Sequence, residues 1–214
     1  MSKRNVSVSS LNCFLCFFVV FVLNAFLIGC VQTQKQLEAI QSGKQDGLPV
    51  NVKGGNLKQG LTVVYFHDKF NHIRDMPKSE AGIAKFGRPG PPILKLDHQF
   101  GRGKIFDSGR SQEVGMIMKG YLHLDRPGKY LFQAQSNDGF QLFIDGNLIV
   151  SDPGVHADKL SEPGQFKVVQ GGMFPVEIKY FQRKGTATLE LYWQPPGASF
   201  FTIIPTGAYS HIQK

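Results

Sequence analysis

Ser136-Asn137-Asp138-Gly139-Phe140-Gln141-Leu142-Phe143-Ile144-Asp145-Gly146-Asn147-Leu148 is the stretch that decides the fold. Asn, Asp and Gly in succession favour a tight turn, because their side chains bond nearby backbone and Gly tolerates any φ. Phe140 to Asp145 then reads as a strand, Asp145-Gly146 as a two-residue hairpin turn, and Leu148 to Ser151 as the returning strand. Working outward, the same grammar recurs. Tyr130, Phe132 and Ala134 oppose Gln133 and Gln135; Val176, Ile178 and Tyr180 oppose Glu177 and Lys179; Leu189, Leu191 and Trp193 oppose Glu190 and Gln194. This period of two is that of a half-buried strand and places Trp193 in the core.

Further strands are expected at Leu61 to His67, Val114 to Leu124, Lys129 to Ser136, Phe166 to Val169, Phe174 to Gln182 and Thr186 to Gln194. Arg126-Pro127-Gly128 and Arg183-Lys184-Gly185 read as turns that pair the strands around them. Short strands at close spacing, with no long amphipathic helix between them, predict an all-β fold, an antiparallel β-sandwich or barrel. From Asp75 to Gly103 the pattern lapses into Pro- and Gly-rich loop, which either wraps the sandwich or carries binding residues.

The chain has 214 residues and a net charge of +8, with all three cysteines among the first 30 residues. Residues 31–214 therefore hold no disulfide and no cysteine–zinc site. Lys3 and Arg4 precede an apolar run from Leu11 to Ile28, the layout of a secretory signal, and 18 residues also just suffice to span a bilayer. Leu27-Ile28-Gly29-Cys30 resembles the bacterial lipobox and decides between them. The expected organisation is a lipoprotein signal peptide over 1–29, then a lipidated N-terminus and flexible tether over 30–59. A β domain over 60–209 and a short tail over 210–214 complete it. Several acyl chains on Cys30 make a stable anchor where one is marginal. Val31 in place of an aspartate favours the outer over the inner membrane in enterobacterial-type sorting.

The stretch from Ser136 to Gly146 also resembles the middle strands of the protective-antigen-type domain, PA-14. Matches in the same order are Gly60-Leu61 with Tyr65-Phe66, Arg126 to Tyr130, Gly171 to Phe181, Leu189 to Trp193 with Pro196-Gly197, and Ile204-Pro205 with Tyr209. The resemblance implies a jelly-roll-like β-sandwich that serves as a binding or adhesion module, with glycan binding its best-attested role. In the adhesin branch two consecutive aspartates, joined by a cis peptide, ligate calcium, and the ion holds sugar hydroxyls. The matching positions are Asn137 and Asp138, so an amide replaces the first carboxylate.

Two readings of Asn137-Asp138-Gly139 stand: a turn alone, or a turn that also holds calcium and glycan. The loop from Asp152 to Asp158 resembles the family's acidic, His-containing loop, and Asp152, His156 and Asp158 are its candidate ligand residues. Asp145 is expected in the hairpin turn only. No G-x-S-x-G, H-E-x-x-H, P-loop or dinucleotide fingerprint is present, and no enzymatic activity is expected. Gly101-Arg102-Gly103-Lys104 lacks the strand-to-helix context of a phosphate loop, and His67 and His72 read as ordinary loop histidines.

The basic excess lies in the tether and in residues 60–120, whereas residues 121–214 carry eight charges of each sign. In an exported protein this favours an anionic membrane surface or glycan over nucleic acid. The expected partners are the membrane through Cys30 and a glycan or an envelope protein; an accessory subunit of a glycan-active enzyme is a further alternative.

Overall fold

The computed structural model describes residues 47–52 and 56–213. The lipobox and Cys30 lie outside the described residues. Among those residues the fold is two antiparallel sheets face to face. One contains β1 (Leu57–Gln59), β14 (Tyr209–Ile212), β5 (Val114–Leu124), β11 (Gly172–Gln182), β7 (Phe140–Ile144) and β8 (Asn147–Asp152) in that order, with β2 (Leu61–Phe66) on β5 and β3 (Arg88–Ile93) on β2. The other contains β10 (Gly164–Val168), β6 (Gly128–Asn137), β12 (Ala187–Gln194) and β13 (Thr202–Ile203), with β9 (Lys159–Leu160) on β6 and β4 (Asp97–Gly101) on β12. Of the antiparallel sandwich or barrel expected from the strand pattern, the sandwich is formed, as the resemblance implied.

The longest ladder pairs β5 with β11 from Gly172↔Leu124 to Gln182↔Val114. Alternate residues from both sheets make the main core, among them Tyr65, Met116, Phe132, Phe140, Phe174, Tyr180 and Leu191. A second cluster covers the outer face of the larger sheet: Phe66, Phe70, Ile73, Met76, Ile117 and Phe181. Tyr65 and Phe66, Met116 and Ile117, Tyr180 and Phe181 are sequence neighbours that point to opposite faces, so this sheet is buried on both sides there. The Asp75–Gly103 region supplies part of that cover. It contains α1 (Glu80–Phe86), capped by the Ser79 hydroxyl, which accepts from Gly82 N at 3.1 Å, and the two strands β3 and β4. The expected loop is thus largely ordered secondary structure.

Other expectations change. The turns at 126–128 and 183–185 do not close hairpins. Strand β5 lies in the larger sheet and β6 in the smaller; β11 lies in the larger and β12 in the smaller. Both turns are corners at which the chain crosses between sheets. Asn137–Phe140 is a third corner, from β6 to β7, whereas Asp145-Gly146 does close the β7–β8 hairpin. Trp193 is only partly buried and packs on the core from its margin, 6.0 Å from the Tyr130 ring. Strand pairing also runs past residues 60 and 209, through β1 and β14.

These connections give the sandwich two poles. At one, residues 47–50 meet the ends of β10 and β11 (Val169 N donates to Gly47 O, Val50 N to Met173 O), beside the 126–128, 145–146 and 195–201 turns. At the other pole lie the segments 67–72, 102–113, 137–139, 152–158 and 183–186.

Candidate functional site

The corner at Asn137-Asp138-Gly139 centres the second pole. Its Asn137–Asp138 peptide bond is cis, as the resemblance implied. Asp138 is 3% exposed, and both its carboxylate oxygens accept backbone N–H groups: Oδ1 from His156 at 3.1 Å and Oδ2 from Arg183 at 2.7 Å. One side chain therefore fastens three segments of the pole: its own turn, the 152–158 loop and the 183–186 corner. Burial pushes the Asp138 carboxyl above the usual carboxylate range, and the two N–H bonds reverse only part of that rise.

The surroundings are equally tied. Tyr180 OH donates to Asn137 O at 2.7 Å, Ser136 Oγ donates to Asp138 O at 2.9 Å, and Phe181 N donates to Gly139 O at 3.0 Å. Burial raises the Tyr180 phenol well above its ordinary value, so it stays a donor. Gly139 is required by close approach: a Cβ there would collide with the Phe181 ring and sit 2.8 Å from Pro153 O.

The structure brings every candidate residue from the sequence to this pole. His156 Nε2 lies 3.3 Å from Asp152 Oδ2 without an aligned hydrogen bond, and Lys159 Nζ lies 3.0 Å from the same oxygen. Asp158 Oδ2 accepts from Thr188 Oγ1 at 2.9 Å, and Thr188 faces Asn137 across β12 and β6. Asn137 Nδ2 reaches Thr186 Oγ1 at 3.5 Å. Asp145 sits at the opposite pole in its hairpin, as expected. His67 Nε2 contacts Ser108 O at 2.8 Å, and His72 Nδ1 accepts from Arg74 N, so both serve loops.

A calcium ion takes six to eight oxygens, and the carboxylates at this pole are already engaged by other partners. Both Asp138 oxygens already hold N–H donors, and Asp152 Oδ2 faces a lysine and a histidine. Among the described residues no three His, Cys, Asp or Glu are grouped to hold a metal.

Sequence reasoning missed Arg183, Thr186 and Thr188, because Arg183-Lys184-Gly185 has the same local signature in a hairpin as in a corner. It also missed two concavities. One, of about 430 Å³, lies against the second cluster between Phe66, Phe70, Phe86, Asp75 and Arg88. The other, open and about 570 Å³, is lined by Arg102, Lys104, Arg110 and Glu113.

No protein of curated function matches the sequence. Solved structures with the same fold include an anti-sigma factor domain-containing protein from Clostridium clariflavum, with 18% identity and a TM-score of 0.59 over 73% of this chain. The chain spans 48% of that protein's length. The PA14 sugar-binding domain of an RTX adhesin has 18% identity and a TM-score of 0.53, over 72% of this chain and 98% of that one. The Epithelial Adhesin 6 A domain from Candida glabrata, in complex with Galb1-3GlcNAc, has 12% identity and a TM-score of 0.57, over 79% and 94% of the two chains. The PA14 domain family model matches residues 57–207, so the order of motifs, the sandwich and this match agree: the chain belongs to the PA14 domain family.

Proposed function

We propose that this protein is a non-enzymatic glycan-binding module of the cell envelope, anchored by lipid on Cys30 and facing its ligand with the pole around Asn137, Asp138 and Gly139. The observation that carries the reading is the buried Asp138 carboxylate, which joins the 137–139, 152–158 and 183–186 segments into one fixed platform. A preset platform lowers the ordering cost of binding a flexible ligand such as a glycan. The sugar-binding adhesin domains of the same fold support the ligand class. Binding rather than catalysis fits the site's acids: Asp138 is held by backbone, Asp152 by Lys159 and Asp158 by Thr188, so none is poised as a free general acid or base.

The two-pole layout supports the anchoring. Residues 47–50, on the Cys30 side of the domain, meet the sandwich at the pole opposite the platform. The outer membrane is the proposed location, and binding is proposed to proceed without calcium.

A glycan array followed by calorimetry, with calcium and with EDTA, tests the reading. The expected result is at least one glycan bound equally in both. Binding that vanishes in EDTA overturns the calcium-free part. No glycan bound in either, together with specific co-purifying envelope proteins, replaces the reading with a scaffold lipoprotein. For the anchor, Cys30→Ala is expected to release the protein from membranes, and retention would overturn lipidation.

A further inference from the structure

We infer that the glycan is anionic, its carboxylate, sulfate or phosphate group held by Arg102, Lys104 and Arg110 on the 102–113 segment; this rests on the glycan-binding reading above. The three cations line one open concavity of about 570 Å³, opposed there by Glu113 alone. Four lysines elsewhere on the sandwich are neutralised in ion pairs, Lys95 with Asp97, Lys119 with Glu80 and Glu177, Lys159 with Asp152 and Lys179 with Glu177, whereas others such as Lys58, Lys129 and Lys167 have no ion pair among the described residues. Arg102, Lys104 and Arg110 are exposed and have no such pair among the described residues. Gathering unpaired like charges is unfavourable in the free protein, and an entering anion relieves it.

The segment that carries them is not a loose loop. Ile105 is fully buried, its N–H donates to Arg110 O at 2.9 Å, and the Ser108 hydroxyl bonds Arg110 O and accepts from Arg110 N. His67 fastens Ser108 O from the neighbouring strand end, and Phe106 packs edge-on to Phe100 and His98. The backbone positions of the cations are therefore set before a ligand arrives. Gly109, with φ of 77°, has nothing within 4 Å of a Cβ position, so the floor beside Arg110 is open.

Main-chain contacts tie the segment that carries the concavity to the Asp138 platform. Gly101 pairs with Ala187, Glu113 N donates to Arg183 O at 3.3 Å, and Arg183 N donates to Asp138 Oδ2 at 2.7 Å. Arg183 and Lys184 extend the same positive charge along the 183–186 corner. The guanidinium groups of Arg102 and Arg110 suit carboxylate, sulfate and phosphate oxygens through paired N–H bonds.

The test uses full-length protein in detergent, with polygalacturonate, chondroitin sulfate, neutral galactan and the non-sugar polyanion polyglutamate as probes. At least one acidic glycan is expected to bind about tenfold or more tightly than galactan, with affinity falling as salt rises. The Arg102→Gln/Arg110→Gln variant is expected to lose that preference with an unchanged unfolding midpoint, because neither side chain packs in the core. Galactan binding as tightly as the acidic glycans, or binding unaffected in the variant, overturns this inference and leaves the glycan reading standing. Polyglutamate binding as tightly as the acidic glycans also overturns it, since charge alone would then suffice. No probe sugar bound, when the array is also blank, overturns the glycan reading itself.

Discussion

The two poles of the sandwich make their corners by different means. At the pole where residues 47–50 dock, the crossing from β5 to β6 is Arg126-Pro127-Gly128, and the β7–β8 hairpin turns on Asp145 at φ 52° and Gly146 at φ 75°. Backbone conformation and short-range bonds close these turns: Arg126 N donates to Tyr130 OH and Asn147 Nδ2 to Asp145 O, both at 3.2 Å. At the platform pole, the corners at 137–139 and 183–186 are locked to each other and to the 152–158 loop by a buried side chain. A local turn tolerates change in its surroundings; a corner held by one carboxylate depends on residues far away in the chain. The Asp138 carboxylate is the group that joins the platform's three segments, with the Tyr180 and Ser136 hydroxyls bracing the turn itself.

The largest expected effect is at that group. Asp138→Ala leaves the part-buried N–H groups of His156 and Arg183 without that acceptor, at about 1–3 kcal/mol each, so roughly 2–6 kcal/mol in all. At the other pole Gly146→Ala introduces only a left-handed alanine in open space, at about 1–2 kcal/mol. Urea unfolding of both variants reads the contrast directly. Equal losses would mean that Asp138 is one turn residue among others and braces nothing.

A smaller contrast lies within the platform pole. Gly139→Ala drives a methyl into the Phe181 ring and toward Pro153 O, and overpacking of this kind costs about 1–3 kcal/mol. Gly154→Ala, one residue after Pro153, meets nothing within 4 Å and is expected to change stability by less than about 0.5 kcal/mol. Thermal unfolding of the pair checks whether tight packing is confined to the corner. A Gly154 variant as damaged as the Gly139 one would extend it to the whole loop.

The same contrast explains what could be read from the sequence. The long strands β6, β11 and β12 were legible because each alternates over many residues, and the β7–β8 hairpin because Asp-Gly is a local signal. Strand β3 was not: Arg88-Pro-Gly-Pro-Pro-Ile93 looks like loop, and it forms a strand only because it lies at an edge, where missing N–H donors cost little. The seven residues of α1 were masked by the Pro and Gly around them. Whether a turn closes a hairpin or crosses between sheets is a non-local fact, since the turn residues are the same in both. At the site, resemblance picked out Asn137, Asp138 and the 152–158 loop. It did not reveal that the carboxylate's partners are backbone groups at His156 and Arg183, because any residue supplies an N–H and none leaves a trace in the sequence.

The smallest expected effect decides between burial and hydrogen bonding at Asp138. Burial favours the protonated acid and the two N–H bonds favour the carboxylate; burial prevails, so the folded-state value is raised. A raised carboxyl makes its contribution in full below the unfolded value, near 3.9, and that contribution is lost as pH climbs through the folded value. Other carboxylates titrate in the same range, so the quantity to follow is the stability of wild type minus that of Asp138→Asn, which cannot ionise. This difference is expected to fall from acid pH toward neutrality and then level off. A difference that instead rises with pH would show the two N–H bonds outweighing burial. The corner would then be held by an ionised brace, strongest at neutral pH, and its loss on acidification would loosen the platform pole while the turns at 126–128 and 145–146 stayed closed.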